Sequence, residues 1–280
     1  MGMREFQAQM RALQEIEQSN GDTATKQAVV AKHGSDYSVL QIALVNDVNR
    51  IRALPTLELR AEEKRNVFLP HWLPFVDDYF NKGEVYQNDI LGYCIVYLFD
   101  IGDFDRALSL AEKAITQNQS LPDDFRSTLP TFIADQIYKW TDKTATAGQS
   151  VEPYFTQTLQ NVATKWKLHE IKVAQWLKLA AALLLRNEVG RVHAASVNDP
   201  LKLIMAIQLC VRAFQLHHKV GVKNMVERCI MRLNALQQAG EYQPEKFPPV
   251  ASLSLEKVEI DFPLLIEKLK SSPPPEVNNV

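Results

Sequence analysis

The sequence predicts a mainly α protein, a helical bundle carrying tetratricopeptide-like hairpins and ending in a Pro-rich tail with room for a short strand. Three observations carry this. Gly is sparse, at 10 of 280 residues. Apolar residues recur at steps of three and four rather than two, which places them on one side of a helix. Prolines collect at the end, where 7 of the 14 fall after Gly240. With 46% hydrophobic and 23% charged residues, the chain has globular composition and length for a sizeable core.

Residues Arg4 to Glu17 read as a helix, Ser19 to Asp22 as a turn, and Thr23 to His33 as a second helix stopped by Gly34. A third begins near Ser35 or Asp36, either of which can cap it, and places Leu40, Leu44, Val48, Ile51 and Leu54 on one face. Pro55 ends or kinks it. The helices around Gly34 have the proportions of a helix-turn-helix. They lack a convincing set of groove-reading Arg, Asn or Gln, so two packed helices explain them as well.

Pro70 or Pro74 suits the first turn of a helix, and Trp72, Phe75, Val76, Tyr79 and Phe80 form an aromatic ridge. Asp77 and Asp78 beside it would repel phosphate, so the ridge reads as core or subunit interface rather than a nucleic-acid stack. A helix ending near Asp100 turns at Gly102, and Asp103 caps a partner carrying Ala107, Leu108, Ala111, Ala114 and Ile115. Trp166 to Leu185 reads as a helix with Ile171, Ala174 and Leu177 to Leu179 inside. A second hairpin runs from Leu201 to Leu236 around Gly221. In the tail, Leu253, Leu255, Val258, Ile260 and Phe262 alternate, and Leu264, Leu265, Ile266 and Leu269 form an apolar turn. That segment has too few apolar residues for its own core. It is expected to dock on a partner or neighbouring subunit, or to pack on its own chain. The implied divisions are 1–66, 67–240 and 241–280.

Three separated cysteines, Cys94, Cys210 and Cys229, make neither a disulfide framework nor a zinc ribbon and point to a reducing compartment. The charged start is not a signal peptide, and Lys178 interrupts the greasiest run, Val173 to Leu185, so no membrane association is expected. The net charge of -2 hides a division. Val76 to Asp135 holds 11 acidic and 4 basic residues, while Lys165 to Arg232 holds 12 basic and 4 acidic. The second excess, +8, is enough to attract a polyanion.

No Gly-rich loop ending in Lys-Ser or Lys-Thr occurs, so an ATPase motor is expected on another chain. A nuclease needs carboxylates around a divalent metal, and the best linear set is Asp123 with Glu170-x-Lys172. Glu-x-Lys is also common on solvated helices, which is the preferred explanation. Capping accounts for Asp103 in the Asp100, Asp103, Asp105 cluster, and its glycine is misplaced for a calcium loop. The six histidines lack zinc spacing, and His218 reads as part of a polar, basic face.

Leu69-Pro70-x-Trp72-Leu73-Pro74-x-Val76, then Gly83, Gln87 and Asp89-Ile90-Leu91, then Asp100-x-Gly102-Asp103 with Ala107-Leu108 and Ala111, resembles the small terminase subunit of Peduovirus-type tailed phages. The likeness continues through Pro122, Pro130 and Phe132 and returns at Gly221-Val222-Lys223 with Glu227-Arg228, spanning about Tyr37 to Leu236. The resemblance implies a protein that binds double-stranded viral DNA at the packaging site and presents it to a large ATPase subunit. It also implies a ring-shaped homo-oligomer in the cytoplasm of the infected bacterial host, and family members are also labelled the endonuclease subunit. The expected DNA contacts are Lys64, Arg65, Lys165, Lys167, Lys172, Arg212, Lys219, Lys223 and Arg228. The tail, with 7 acidic and 4 basic residues, departs from members ending in Lys and Arg and is not expected to touch DNA. No cofactor is expected to bind stably; Mg2+ enters only if the chain is itself a metal-dependent endonuclease. A tetratricopeptide-like adaptor whose basic region binds an acidic peptide is the remaining alternative.

Overall fold

Leu44, Val48 and Ile51 turn inward from helix α1, residues 39–53, on the face that the steps of four and three predict. The structure is a computed structural model that describes residues 39–243 and 260–271. The two helices expected before Gly34, with the helix-turn-helix they would form, lie outside the described residues. So do the expected strand positions Leu253, Leu255 and Val258. Every regular element among the described residues is helical, and the β-type pairing there is one isolated bridge, Arg186 with Val192.

After α1 the extended Thr56 accepts the Leu59 N–H and starts α2 (Leu57–Glu63). The chain then stays helical through a π turn, Lys64–Phe68, into α3 (Leu69–Lys82). Proline explains the wider turn. Pro70 has no N–H, and its ring would strike the carbonyl four residues back in an α register; the Leu69 N–H instead reaches the Lys64 carbonyl. Of the two prolines offered for the first turn, Pro70 occupies it and Pro74 lies in the helix interior. Trp72, Val76 and Tyr79 are buried, and the Trp72 Nε1–H donates to Asp47 Oδ2 at 2.9 Å. The ridge is core, with Phe75 left partly outside.

Gly83 (φ 68°) ends α3, and Gln119 pins the connection that follows. Its amide donates to the Tyr86 carbonyl (2.7 Å) and the Tyr79 hydroxyl (2.9 Å), and its oxygen accepts the Asn88 N–H (2.8 Å). The Asn88 side chain caps α4 (Asp89–Ile101), which is buried from Ile90 to Phe99 and packs against both α3 and α5. A helix apolar on all sides belongs at a centre. Gly102 (φ 80°) turns the chain, the Asp103 carboxylate accepts the Arg106 N–H, and α5 (Phe104–Thr116) buries Ala107, Leu108, Ala111 and Ala114. The predicted hairpin is present with its predicted turn and cap.

These elements make one compact unit, ending at Leu129; a second begins at Pro130, within the stretch 67–240 read from sequence as one core. The second unit holds α6 (Leu129–Thr146) from Pro130 onward, α7 (Tyr154–Thr164), α8 (Glu170–Leu184), α9 (Pro200–Leu216), α10 (Lys223–Gln238) and α11 (Phe262–Lys270). Helix α8 buries Ala174, Trp176, Leu177 and Leu179 to Leu184 and packs along α9. Ile171, expected inside, is 38% exposed because α8 begins at Glu170 and its first turn lies at the edge. Helix α10 returns antiparallel to α9: Cys210 Sγ lies 3.4 Å from Met225 Sδ, and the Arg232 Nε–H donates to the Val197 carbonyl. Burial raises the pKa of all three cysteine thiols, for Cys210 and Cys229 to about 12, so they are inert apolar packing.

The apolar turn of the tail is helix α11. It buries Leu265 and Leu269 against α7 and α8 of its own chain, and Lys268 pairs with Asp199 at 2.8 Å. Of the segment expected to dock on a partner or to pack on its own chain, residues 260–271 pack on their own chain, and the stretch before Ile260 lies outside the described residues.

Candidate nucleic-acid interface

The basic excess of the sequence resolves, in three dimensions, into cations that are already neutralised and cations that face solvent. Lys64 belongs to the first group. Its ammonium lies 2.6 Å from Asp100 and over the Tyr97 ring at 4.5 Å, and its side chain is only 13% exposed. Arg65 differs: it reaches the Ile101 carbonyl at 3.4 Å, which leaves its charge in place, and it is exposed. Lys172 is held by both oxygens of Asp135, at 2.7 and 2.9 Å. An ammonium paired this closely presents little net charge to a distant phosphate.

The second group centres on the α9–α10 hairpin. Asp199 caps α9 by accepting the Leu201 N–H at 2.9 Å. Burial pushes the Asp199 carboxyl up, but hydrogen bonds from Lys268 and two backbone N–H groups outweigh it and leave the pKa below the ordinary value. At the other end, the His217 N–H closes α9 on the Ala213 carbonyl, and Gly221 (φ 74°) reverses the chain. Lys178 of α8 spends its ammonium on the Val220 carbonyl at 2.8 Å, tying the turn 217–222 to the core. A hairpin closed by a left-handed glycine and anchored by a lysine holds its surface residues on a rigid support.

Arg212, His218, Lys219, Lys223 and Arg228 are exposed on that support. The Lys223 side chain is 90% exposed, and its pairing with Glu227 is a loose 3.9 Å contact of the kind that contributes little in water. From Pro200 to Gln238 there are six basic residues and one acidic, Glu227. The structure therefore brings Arg212, Lys219, Lys223 and Arg228 into one hairpin. Lys165 and Lys167 are exposed in the connection between α7 and α8 of the same unit, whereas Lys64 and Arg65 belong to the first unit.

Phe214 was not singled out in the sequence. Its ring is 46% exposed and meets the His218 ring edge-on, with centroids 4.8 Å apart and planes at 72°. The sequence offers no helical pairing rule that would reveal it, since His218 lies beyond the end of α9.

The nuclease candidates belong to different units. Asp123 is exposed in the first unit, and Glu170 opens α8 in the second, where a carboxylate is favoured by the helix N-terminus. Asp103 is a cap and Asp100 is paired with Lys64, as capping logic anticipated for Asp103. Among the described residues no three His, Cys, Asp or Glu side chains converge as metal ligands would.

One polar cluster was not anticipated. Asp124 accepts from the Tyr93 hydroxyl and from Arg52 at 2.7 Å. The Tyr93 hydrogen bond, with Arg52 behind it and against desolvation, lowers the Asp124 pKa; burial, reinforced by Asp124, raises that of Tyr93. Tyr93 and Arg52 lie 31 and 72 positions from Asp124, so no local pattern reveals the cluster. Two clefts are also present. One of about 590 Å³ in the first unit has Pro70, Leu73, Pro74 and Ile101 in its walls with Arg65 and Arg106. The other, about 510 Å³ in the second, balances Arg186 and Lys202 against Glu188 and Asp199.

Residues 41–171 match the model of the phage small terminase subunit family. The chain is 64% identical over 273 residues to the "Probable terminase, endonuclease subunit" of Haemophilus phage HP1, covering 98% of this chain and 97% of that protein. It is 28% identical over 231 residues to the "Terminase, endonuclease subunit" of Escherichia phage P2, covering 82% and 85% respectively. No solved structure matches. Among the described residues no helix is long and apolar enough to cross a membrane.

Proposed function

Because this chain belongs to the phage small terminase subunit family, we propose that it binds double-stranded viral DNA through the α9–α10 hairpin and presents it to the large ATPase subunit for genome packaging. The observation that carries this is the set of exposed cations, Arg212, Lys219, Lys223 and Arg228, on a hairpin with one carboxylate. Their charge acts on phosphate without needing base contacts, which suits docking on a duplex. Lys165 and Lys167, exposed in the same unit, add to this charge, while the paired Lys64 and Lys172 take no direct part. The protein works as a ring-shaped homo-oligomer in the cytoplasm of the infected bacterium and needs no cofactor for this task.

The test is an anisotropy titration of the full chain with packaging-site duplex over a range of salt. Each phosphate contact contributes about 0.9 to the slope of log K against log salt. Combining Lys219→Ala, Lys223→Ala and Arg228→Ala should remove about 2.7 from that slope. An unchanged slope places the contact elsewhere.

The names of the two relatives support a second reading, in which this chain itself cuts DNA with Mg2+. Asp123 and Glu170 are its candidate carboxylates. The described residues show no converging ligand set for the ion, and Asp135 already holds the ammonium of Lys172. Cleavage of end-site DNA by the purified chain with magnesium, lost in Glu170→Ala, would establish this reading. DNA left intact in the absence of the large subunit would defeat it.

A further inference from the structure

We infer that Phe214 and His218 form an aromatic face at the tip of the α9–α10 hairpin that stacks on unpaired DNA bases, so that the hairpin grips single-stranded DNA as well as duplex phosphates. The inference rests on the DNA-binding reading above and adds a second class of DNA substrate to it. Neighbouring apolar positions on α9 are sequestered: Leu209, Cys210 and Ala213 are each fully buried. Phe214 breaks that pattern and leaves nearly half of its ring surface to solvent.

Single exposed apolar residues are ordinary on protein surfaces; what sets this one apart is its surroundings. The His218 ring, in the turn that follows α9, braces it edge-on, which presents two ring systems on one side of the hairpin tip. Lys219 follows immediately, and Lys223 opens the next helix. A second copy of this chain is a poor occupant, because apposing two hairpins that each carry six basic residues and one acidic brings like charges together. A strand of DNA complements both features, with phosphates for the cations and the π-face of each base for the rings. In a duplex those faces are stacked on each other and out of reach, so the ring face distinguishes unpaired from paired DNA.

The experiment titrates the full chain with a labelled oligonucleotide, its duplex, and a polyglutamate peptide of matched charge. Stacking on one base changes affinity by roughly 5- to 150-fold. Phe214→Ala should weaken single-strand binding within that range, leave duplex binding and both salt slopes unchanged, and be rescued by Phe214→Tyr. Equal loss on strand and duplex, or no loss on either, overturns the inference. So does a loss confined to the polyglutamate peptide, or a change of mass in solution that traces the effect to self-association. Retained duplex binding that depends on Lys219, Lys223 and Arg228 but a neutral Phe214→Ala defeats this inference alone; absence of binding to either DNA defeats the reading beneath it as well.

Discussion

Replacing Trp72 by phenylalanine should destabilise the first unit without touching DNA binding. The indole is fully buried, its ring lies 6.1 Å from that of Phe68, and its Nε1–H donates to Asp47 at 2.9 Å. Phenylalanine keeps most of the packing but gives up about 40 Å² of buried apolar surface, about 1 kcal/mol at about 25 cal/mol/Å². It also removes a hydrogen bond to a carboxylate. Asp47 retains Arg50 at 3.0 Å, which holds that second loss to about 1–2 kcal/mol. The sum, about 2–3 kcal/mol, corresponds to a drop in melting temperature of roughly 10–20 °C for a unit of this size. Circular dichroism follows the loss of helix. Fluorescence of the remaining tryptophans, Trp140, Trp166 and Trp176, all beyond Pro130, reports the second unit separately. The reasoning fails if Trp72→Phe leaves the melting temperature in place and weakens DNA binding, because the indole would then be acting at a surface.

Two glycines test opposite physics in the same assay of urea unfolding. At Gly92 a Cβ would lie 2.6 Å from Pro122 Cδ, so Gly92→Ala should cost about 1–3 kcal/mol from overpacking despite the helix propensity gained. Gly102→Ala meets no atom within 4 Å but must hold φ near 80°, and a loss of about 1–2 kcal/mol from backbone strain alone is expected; a neutral result at either site contradicts the corresponding account. Asp124 has a folded-state pKa below its unfolded value, so its contribution is complete above the unfolded pKa of about 4 and fades as pH falls through the folded value. The gap in melting temperature between the natural protein and Asp124→Asn should therefore be present at neutral pH and close in acid, and a gap that persists in acid would trace the effect to something other than this carboxylate's charge. Leu265→Ala removes a fully buried side chain of α11 and should undock the terminal helix, seen as faster proteolysis of the tail; unchanged protection would mean the contact with α7 and α8 is not what holds it.

The fold was legible wherever its determinants are local. Gly102 with Asp103, Gly221, and the breaker Pro55 act on residues within one turn, and the structure has turns, caps and breaks at those positions. The π turn before Pro70 was not read, since it is a compromise between a proline that cannot donate and a buried Trp72 that keeps the chain helical. The candidate interface was legible only as charge. Counting lysines between 165 and 232 cannot tell that Asp135 neutralises Lys172 or that Lys178 is used on a backbone carbonyl 42 residues away.

By itself, then, the sequence determined that this chain is helical, where its two hairpins turn, which family it resembles, and that its later half is basic. All of these follow from residues a few positions apart or from sums over many. The tertiary structure alone decided which cations remain open to a phosphate, that Phe214 stands outside the core, and that the last described helix returns to its own chain. Ion pairing and burial depend on distances through space between residues far apart in sequence, and those distances exist only once the helices have packed.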